Sequence, residues 1–153
     1  MNKLLFTFLA IAIIFSACEK EEEPTNSGDS TPTTYAFSCK VGGVDFIDNN
    51  PTATIDPSTN VLTLDAENGE NTIRIIIYNF SNRSEGEEIS LNNLTDKAYI
   101  TLGTNSMTNT QSGKITFSNI GSELSGTFNF NCNNLQTFES VTVTEGVFED
   151  LSY

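Results

Sequence analysis

The sequence predicts an all-β protein, an antiparallel β-sandwich or flattened β-barrel built as a single domain over residues 35–153. Apolar side chains recur with period two through much of that region, and turn-forming residues separate the alternating runs. No stretch after residue 17 carries an apolar stripe at helical spacing. Many short strands at close spacing favour two packed sheets or one closed sheet, and the pattern does not choose between those closures.

Each expected strand rests on its own residues. Tyr35, Phe37, Cys39 and Val41 share one parity, and Gly42-Gly43 offers a tight turn before Val44-Asp45-Phe46. Leu62, Leu64 and Ala66 alternate with Thr63 and Asp65. The run Ile73-Arg74-Ile75-Ile76-Ile77-Tyr78 is apolar on both parities after its start, which predicts a central strand covered on both faces. Further strands are expected at 89–91, 98–102, 114–117, 124–132 and 141–148. The turns between strands are expected at Asn68-Gly69, Glu85-Gly86, Asn105-Ser106, Ser112-Gly113, Ile120-Gly121 and Asn133-Asn134.

Two glycines carry finer expectations. Gly126 shares its parity with Leu124, Phe128, Phe130 and Cys132, so it occupies a core-facing slot that a bend or a neighbouring aromatic must fill. Val143 and Phe148 fall on opposite parities, and a bulge at Glu145-Gly146 would return Phe148 to the core. Phenylalanine is the commonest aromatic, with 11 residues, and its period-two placement reads as core packing.

The first 34 residues read differently. Residues 4–15 are uncharged and almost wholly apolar, and they lead into Ser16-Ala17-Cys18. The run is shorter than the roughly 20 residues a spanning helix needs, but it suits a removable signal core, expected over residues 1–17. Small side chains ahead of a cysteine are the layout of a lipoprotein signal, which makes the Cys18 thiol the expected lipidation site and the membrane a partner through that anchor. Residues 18–34 have, after Cys18, no apolar side chain apart from prolines and are expected to form a disordered acidic and Ser/Thr/Pro tether.

Charge narrows the partners. The chain has a formal net charge of −13; without residues 1–17, six basic stand against twenty acidic residues, a net charge of −14. Phosphate backbones are held by clustered Lys and Arg, and Lys40, Arg74, Arg83, Lys97 and Lys114 are scattered, so nucleic acid is not an expected partner. With Cys18 assigned to the anchor, Cys39 and Cys132 remain as a candidate disulfide in an oxidising compartment. Both point inward by parity, and the alternative is two separate buried thiols.

The segments Phe37-x-x-x-Val41-Gly42-Gly43-Val44-Asp45-Phe46, Gly113-Lys114-Ile115-Thr116, Ser125-Gly126-Thr127-Phe128-Asn129-Phe130 and Gly146-Val147-Phe148 span almost all of the chain beyond the tether. In these segments the chain resembles small lipoproteins of the Bacteroidota whose domain has no assigned function. The resemblance implies a β-rich fold and carries over no catalytic or binding residue. Lys20-Glu21-Glu22 is similar to the signal that sends such lipoproteins to the outer face of the outer membrane, so that is the location expected. Asp29-Ser30-Thr31 resembles an O-glycosylation signal of the same group, making Ser30 a candidate modification site.

Residues suited to catalysis or metal binding are few. With no histidine, the usual general base and commonest metal ligand are missing, and any enzyme would rest on carboxylates, Tyr, Lys or Cys. The acids, among them Asp45, Asp48, Asp56, Glu67, Glu85 and Asp96, fall at turns or on outward parities, as a solvated surface requires. Asp45-x-x-Asp48-Asn49-Asn50 and Glu85-Gly86-Glu87-Glu88 supply hard oxygen ligands without the spacing of a calcium loop. The expectation is therefore a non-enzymatic binding or interaction module with a glycan or protein partner, without cofactor, metal or catalytic residues. Its alternatives are a structural subunit of a surface complex, a carboxylate-based glycoside hydrolase and a calcium-binding domain. Tyr78 and Tyr99 are the aromatics that could stand on an exposed sheet face or line the core rim.

Overall fold

The computed structural model describes residues 35–153. They form eleven strands: β1 Phe37–Val41, β2 Val44–Asp48, β3 Thr52–Asp56, β4 Val61–Asn68, β5 Asn71–Tyr78, β6 Glu88–Ser90, β7 Lys97–Leu102, β8 Asn105–Met107, β9 Asn109–Ile120, β10 Glu123–Asn133 and β11 Ser140–Ser152. A single 3-10 turn, Phe80–Asn82, follows β5. All named strand pairs are antiparallel and lie in two sheets, one of order β2-β1-β11-β10-β9-β6 and one of order β3-β4-β5-β7-β8. The sheets are not paired edge to edge, so the fold is a β-sandwich and not a barrel.

Side-chain alternation decides the inner faces. The six-stranded sheet contributes Phe37, Phe46, Phe117, Phe128, Phe130 and Phe148, all 3% exposed or less, while the core residues of the five-stranded sheet are aliphatic: Leu62, Leu64, Ile73, Ile75, Ile77 and Ile100 among them. Fully burying one such side chain stabilises the fold by about 1.5–3 kcal/mol. The phenylalanine rings also pack against one another, with Phe37 and Phe128 centroids 4.9 Å apart and Phe117 and Phe148 at 5.6 Å.

Bulky rings crowd this sheet face, and not every ring can be matched by a side chain on both neighbouring strands. Three cross-strand pairs meet this with glycine: Gly126 faces Phe148, Gly113 faces Phe130 and Gly146 faces Phe128. A Cβ at Gly126 would fall 2.6 Å from Phe148 Cζ and even nearer the carbonyl oxygen of Thr116. The expected core-facing slot at Gly126 is thus covered by the ring of Phe148. All three pairs lie in the segments that carried the family resemblance.

β11 reaches the core along its whole length because it is bulged. Glu145 adopts φ 54°, and the register to β10 shifts by one residue between Phe128 opposite Gly146 and Phe130 opposite Val143. Val143 and Phe148 are both fully buried as a result, which bears out the expected bulge. A second bulge at Asp150, φ 54°, returns Leu151 to the core, and the Asp150 amide donates to Ser125 Oγ at 3.0 Å.

Four expectations are corrected. β3 is a strand the sequence does not signal, since Ala53 is its single buried residue and an edge strand needs little apolar signal. Asn105-Ser106 opens β8 instead of forming a turn, and the turn lies just before it at Gly103, φ 57°. Ser112-Gly113 lies inside the continuous β9, where Gly113 serves to admit Phe130. β5 is central in its sheet but covered on one face only: Arg74 and Tyr78 are exposed and Ile76 is half-buried. The second apolar parity of that strand contributes an outer surface.

The crossings between sheets are tied by buried polar groups. Asp96, 3% exposed, is corrected from a solvated acid to a buried one. Its carboxylate accepts from the Tyr78 amide and from Arg83 Nη2, both at 2.7 Å, and so fixes the segments that enter and leave β6. Thr110 Oγ1 donates to the Ala98 carbonyl at 2.7 Å and accepts from the Ala98 amide at 3.0 Å, satisfying backbone groups that β8 is too short to reach.

Candidate functional site

The β4–β5 hairpin sets the geometry of the outer surface of the five-stranded sheet. Its two-residue turn places Gly69 at φ 63° and pairs Asn68 with Asn71, so every second residue back along the hairpin faces its partner: Glu67 with Thr72, Asp65 with Arg74, Thr63 with Ile76. Pairing of β3 with β4 adds Thr52 beside Asp65, and pairing of β5 with β7 adds Tyr99 beside Arg74. The result is one row across four strands, Thr52, Asp65, Arg74 and Tyr99, with Thr72 and Thr101 in the next row.

These residues line an open cleft of about 360 Å³ on the outer face of the five-stranded sheet, with Glu67 and Thr108 at its margin. The floor is an ion pair in fork geometry: Arg74 Nε donates to Asp65 Oδ1 at 2.6 Å and Nη2 donates to Oδ2 at 3.1 Å. The hydrogen bond and then the charge of Asp65 raise the Arg74 pKa above its ordinary value. Arg74 Nη1 and the Tyr99 hydroxyl have no hydrogen-bond partner among the described residues. Farther along the same face, Lys97 Nζ stands 5.9 Å from the centre of the Tyr78 ring, a cation–π contact. Tyr78 and Tyr99 therefore share the outward face, and Tyr78 is 38% exposed.

The six-stranded sheet also has an outer groove, of about 430 Å³, lined by Ser112, Lys114, Asn129, Asn131, Thr142 and Glu145 among others. It presents no tyrosine, and its Lys114 is engaged by Glu88 at 2.7 Å. The smaller cleft is the better candidate because it combines an aromatic ring with unused donors.

The acids suspected of binding calcium are engaged in structural contacts. Asp45 accepts from Lys40 Nζ at 3.0 Å, and Asp48 accepts from the amides of Asn50 and Glu67. Glu85 accepts from the Ile120 amide, and Glu87 from Arg83 Nη1 and the Ser84 amide. No cluster of three or more metal-ligating side chains occurs among the described residues.

Cys39 and Cys132 are both buried and unpaired. β11 lies between their strands, which sets the Cα atoms at least about 9.5 Å apart, two strand spacings, beyond the roughly 7 Å that a disulfide spans. The second alternative holds: they are separate thiols, each pushed up to about 12 by burial, against which a hydrogen bond with Thr110 acts weakly at Cys132. Cys18 and Ser30 lie outside the described residues. Sequence reasoning named Tyr78 and Tyr99 but missed Asp65, Arg74 and Thr52 as site residues. The expected Asn68-Gly69 loop signalled a hairpin but not its register: it would set Asp65 opposite Thr72, whereas the observed loop is Gly69-Glu70, one residue later, and sets Asp65 opposite Arg74.

A family profile described as a domain of unknown function, DUF6252, matches residues 33–152, and the chain belongs to that family. No curated protein and no solved structure matches it.

Proposed function

We propose that this DUF6252 domain is a lipid-anchored, non-enzymatic binding module displayed at the outer surface of a bacterial outer membrane, held there through Cys18. The observation that carries the binding reading is the cleft of Asp65, Arg74 and Tyr99, which offers unused hydrogen-bond donors and a ring on a rigid sheet. Supporting the absence of turnover, Asp65 is held by Arg74 and Glu67 lies in solvent. Neither sits in the apolar pocket that keeps the acid of a glycosidase protonated. The anchor rests on residues 4–18, the surface address on Lys20-Glu21-Glu22, the bacteroidotal origin on the short matching segments, and the candidate O-glycan on Ser30.

A second reading, a subunit of a surface complex, is favoured by one loop. Residues 134–139 join β10 to β11 and present Leu135 at 64% and Phe138 at 82% exposure, the latter with φ 60°. The loop is braced by the Asn134 side chain, which accepts from the Gln136 and Thr137 amides, so its apolar groups are held outward.

The test combines anchoring and binding. Labelled palmitate enters the wild-type chain and not Cys18→Ala, and protease added to intact cells removes the domain. Co-purification from the cell surface is compared between wild type and Tyr99→Ala. Loss of the same partner in both Tyr99→Ala and Arg74→Ala supports the cleft, whereas loss only in a Leu135→Ser/Phe138→Ser double variant supports the subunit reading. Turnover of glycoside, ester or peptide substrates that depends on one carboxylate would overturn the non-enzymatic reading.

A further inference from the structure

We infer that the cleft takes a short neutral saccharide chain, an inference that rests on the binding-module reading above and names its ligand. The ion pair decides the chemistry. Asp65 and Arg74 cancel each other's charge, yet Arg74 Nη1 still donates and the carboxylate oxygens keep further lone pairs. Donors and acceptors therefore lie side by side without net charge, matching vicinal hydroxyls, each of which both donates and accepts. The hydroxyls of Thr52, Thr72 and Thr101 extend the same chemistry around the pair.

Tyr99, next to Arg74 in the row, supplies a ring against which the C–H face of a pyranose can pack. The row of four strands spans about 14 Å, the length of a short oligosaccharide. An anionic ligand would need the Arg74 charge that Asp65 already takes, would meet Glu67 at the margin, and would approach a chain of net charge −13. A protein ligand calls for an apolar anchor pocket at the centre of the surface, where this cleft has an ion pair.

The test uses the full chain in detergent. Gluco-, manno- and xylo-hexaose with β-1,4 linkages and α-1,4 gluco-hexaose are titrated by calorimetry, with oligogalacturonate and oligoalginate hexamers as acidic comparators. At least one neutral hexaose is expected to bind and both acidic hexamers to fail. Tyr99→Ala and Arg74→Gln each weaken that binding at least tenfold, while Tyr99→Phe, which keeps the ring, weakens it less. Thermal melts of the three variants identify any that fail to fold. The saccharide inference is overturned if every neutral hexaose fails, if the acidic hexamers bind as well, or if binding survives Tyr99→Ala combined with Arg74→Gln. Failure of all hexaoses together with Tyr99-dependent partner capture from the cell surface would overturn the saccharide and leave the binding module standing. Failure of both would overturn both.

Discussion

Replacing Gly126 with alanine tests the account of how six phenylalanines fit on one sheet face. A methyl group there would lie 2.6 Å from Phe148 Cζ and closer still to the Thr116 carbonyl oxygen. Neither can give way easily: the carbonyl belongs to the middle of β9, and the Phe148 ring is 0% exposed and packed against Phe117 and Phe128. Alanine would otherwise gain about 0.5–1 kcal/mol over glycine within a strand. Overpacking a filled core costs about 1–3 kcal/mol, and two unyielding contacts put this site at the upper end. The expected net loss is about 2 kcal/mol. For a domain of about 120 residues that lowers the melting temperature by roughly 6–8 °C. Urea denaturation and thermal melts followed by circular dichroism read both quantities. Phe148→Leu removes Cζ, so combining it with Gly126→Ala should cost less than the two single losses added, with a coupling of about 1 kcal/mol. A Gly126→Ala chain as stable as wild type, or strictly additive losses, would refute the reasoning.

Three further outcomes follow from buried and capping groups. Asp96→Ala removes the buried one of the two carboxylates that hold the mostly buried Arg83 guanidinium, leaving the more exposed Glu87, and removes the acceptor of the Tyr78 amide, so it should cost about 3 kcal/mol in urea denaturation; a change below 0.5 kcal/mol would show that the pair does not tie the crossings. Asp56 has its carboxyl lowered to about 2, first by the Ser58 hydroxyl and then by the Ser58 amide. Its folded pKa is below the unfolded one, so the stability it contributes is present above about pH 4 and is lost as pH falls toward 2. The stability gap between wild type and Asp56→Ala should close over that window, and a gap unchanged at pH 2 would contradict it. For Cys39 and Cys132, raised to about 12, the sign is reversed: the contribution is complete below about pH 9 and is lost as pH rises toward 12. Neither thiol should react with iodoacetamide in the native chain at pH 8, and both should be alkylated after unfolding without reductant; an intact disulfide by mass would contradict the strand order.

Local alternation was enough to place most strands and their inward faces, because a strand's side chains alternate whatever it pairs with. The same alternation marked Gly126 as a core slot and demanded the bulge at Glu145-Gly146, since both are properties of one strand's own parity. Pairing across long stretches of chain is different, because it depends on which strands become neighbours, and nothing local encodes that choice. Only the assembled sheets put β11 between Cys39 and Cys132, drew Asp96 out of solvent onto Arg83, and let β9 run through Ser112-Gly113 by laying Phe130 over the glycine. The cleft divides along the same line. The sequence announces the local hairpin that carries Asp65 and Arg74, but its register follows from the loop falling at Gly69-Glu70; Tyr99 joins them only because β7 returns to pair with β5 after the chain has crossed to the other sheet and back. The binding surface thus depends on contacts distant in sequence, whose loop-closure entropy is offset by the shared core and not by any local signal.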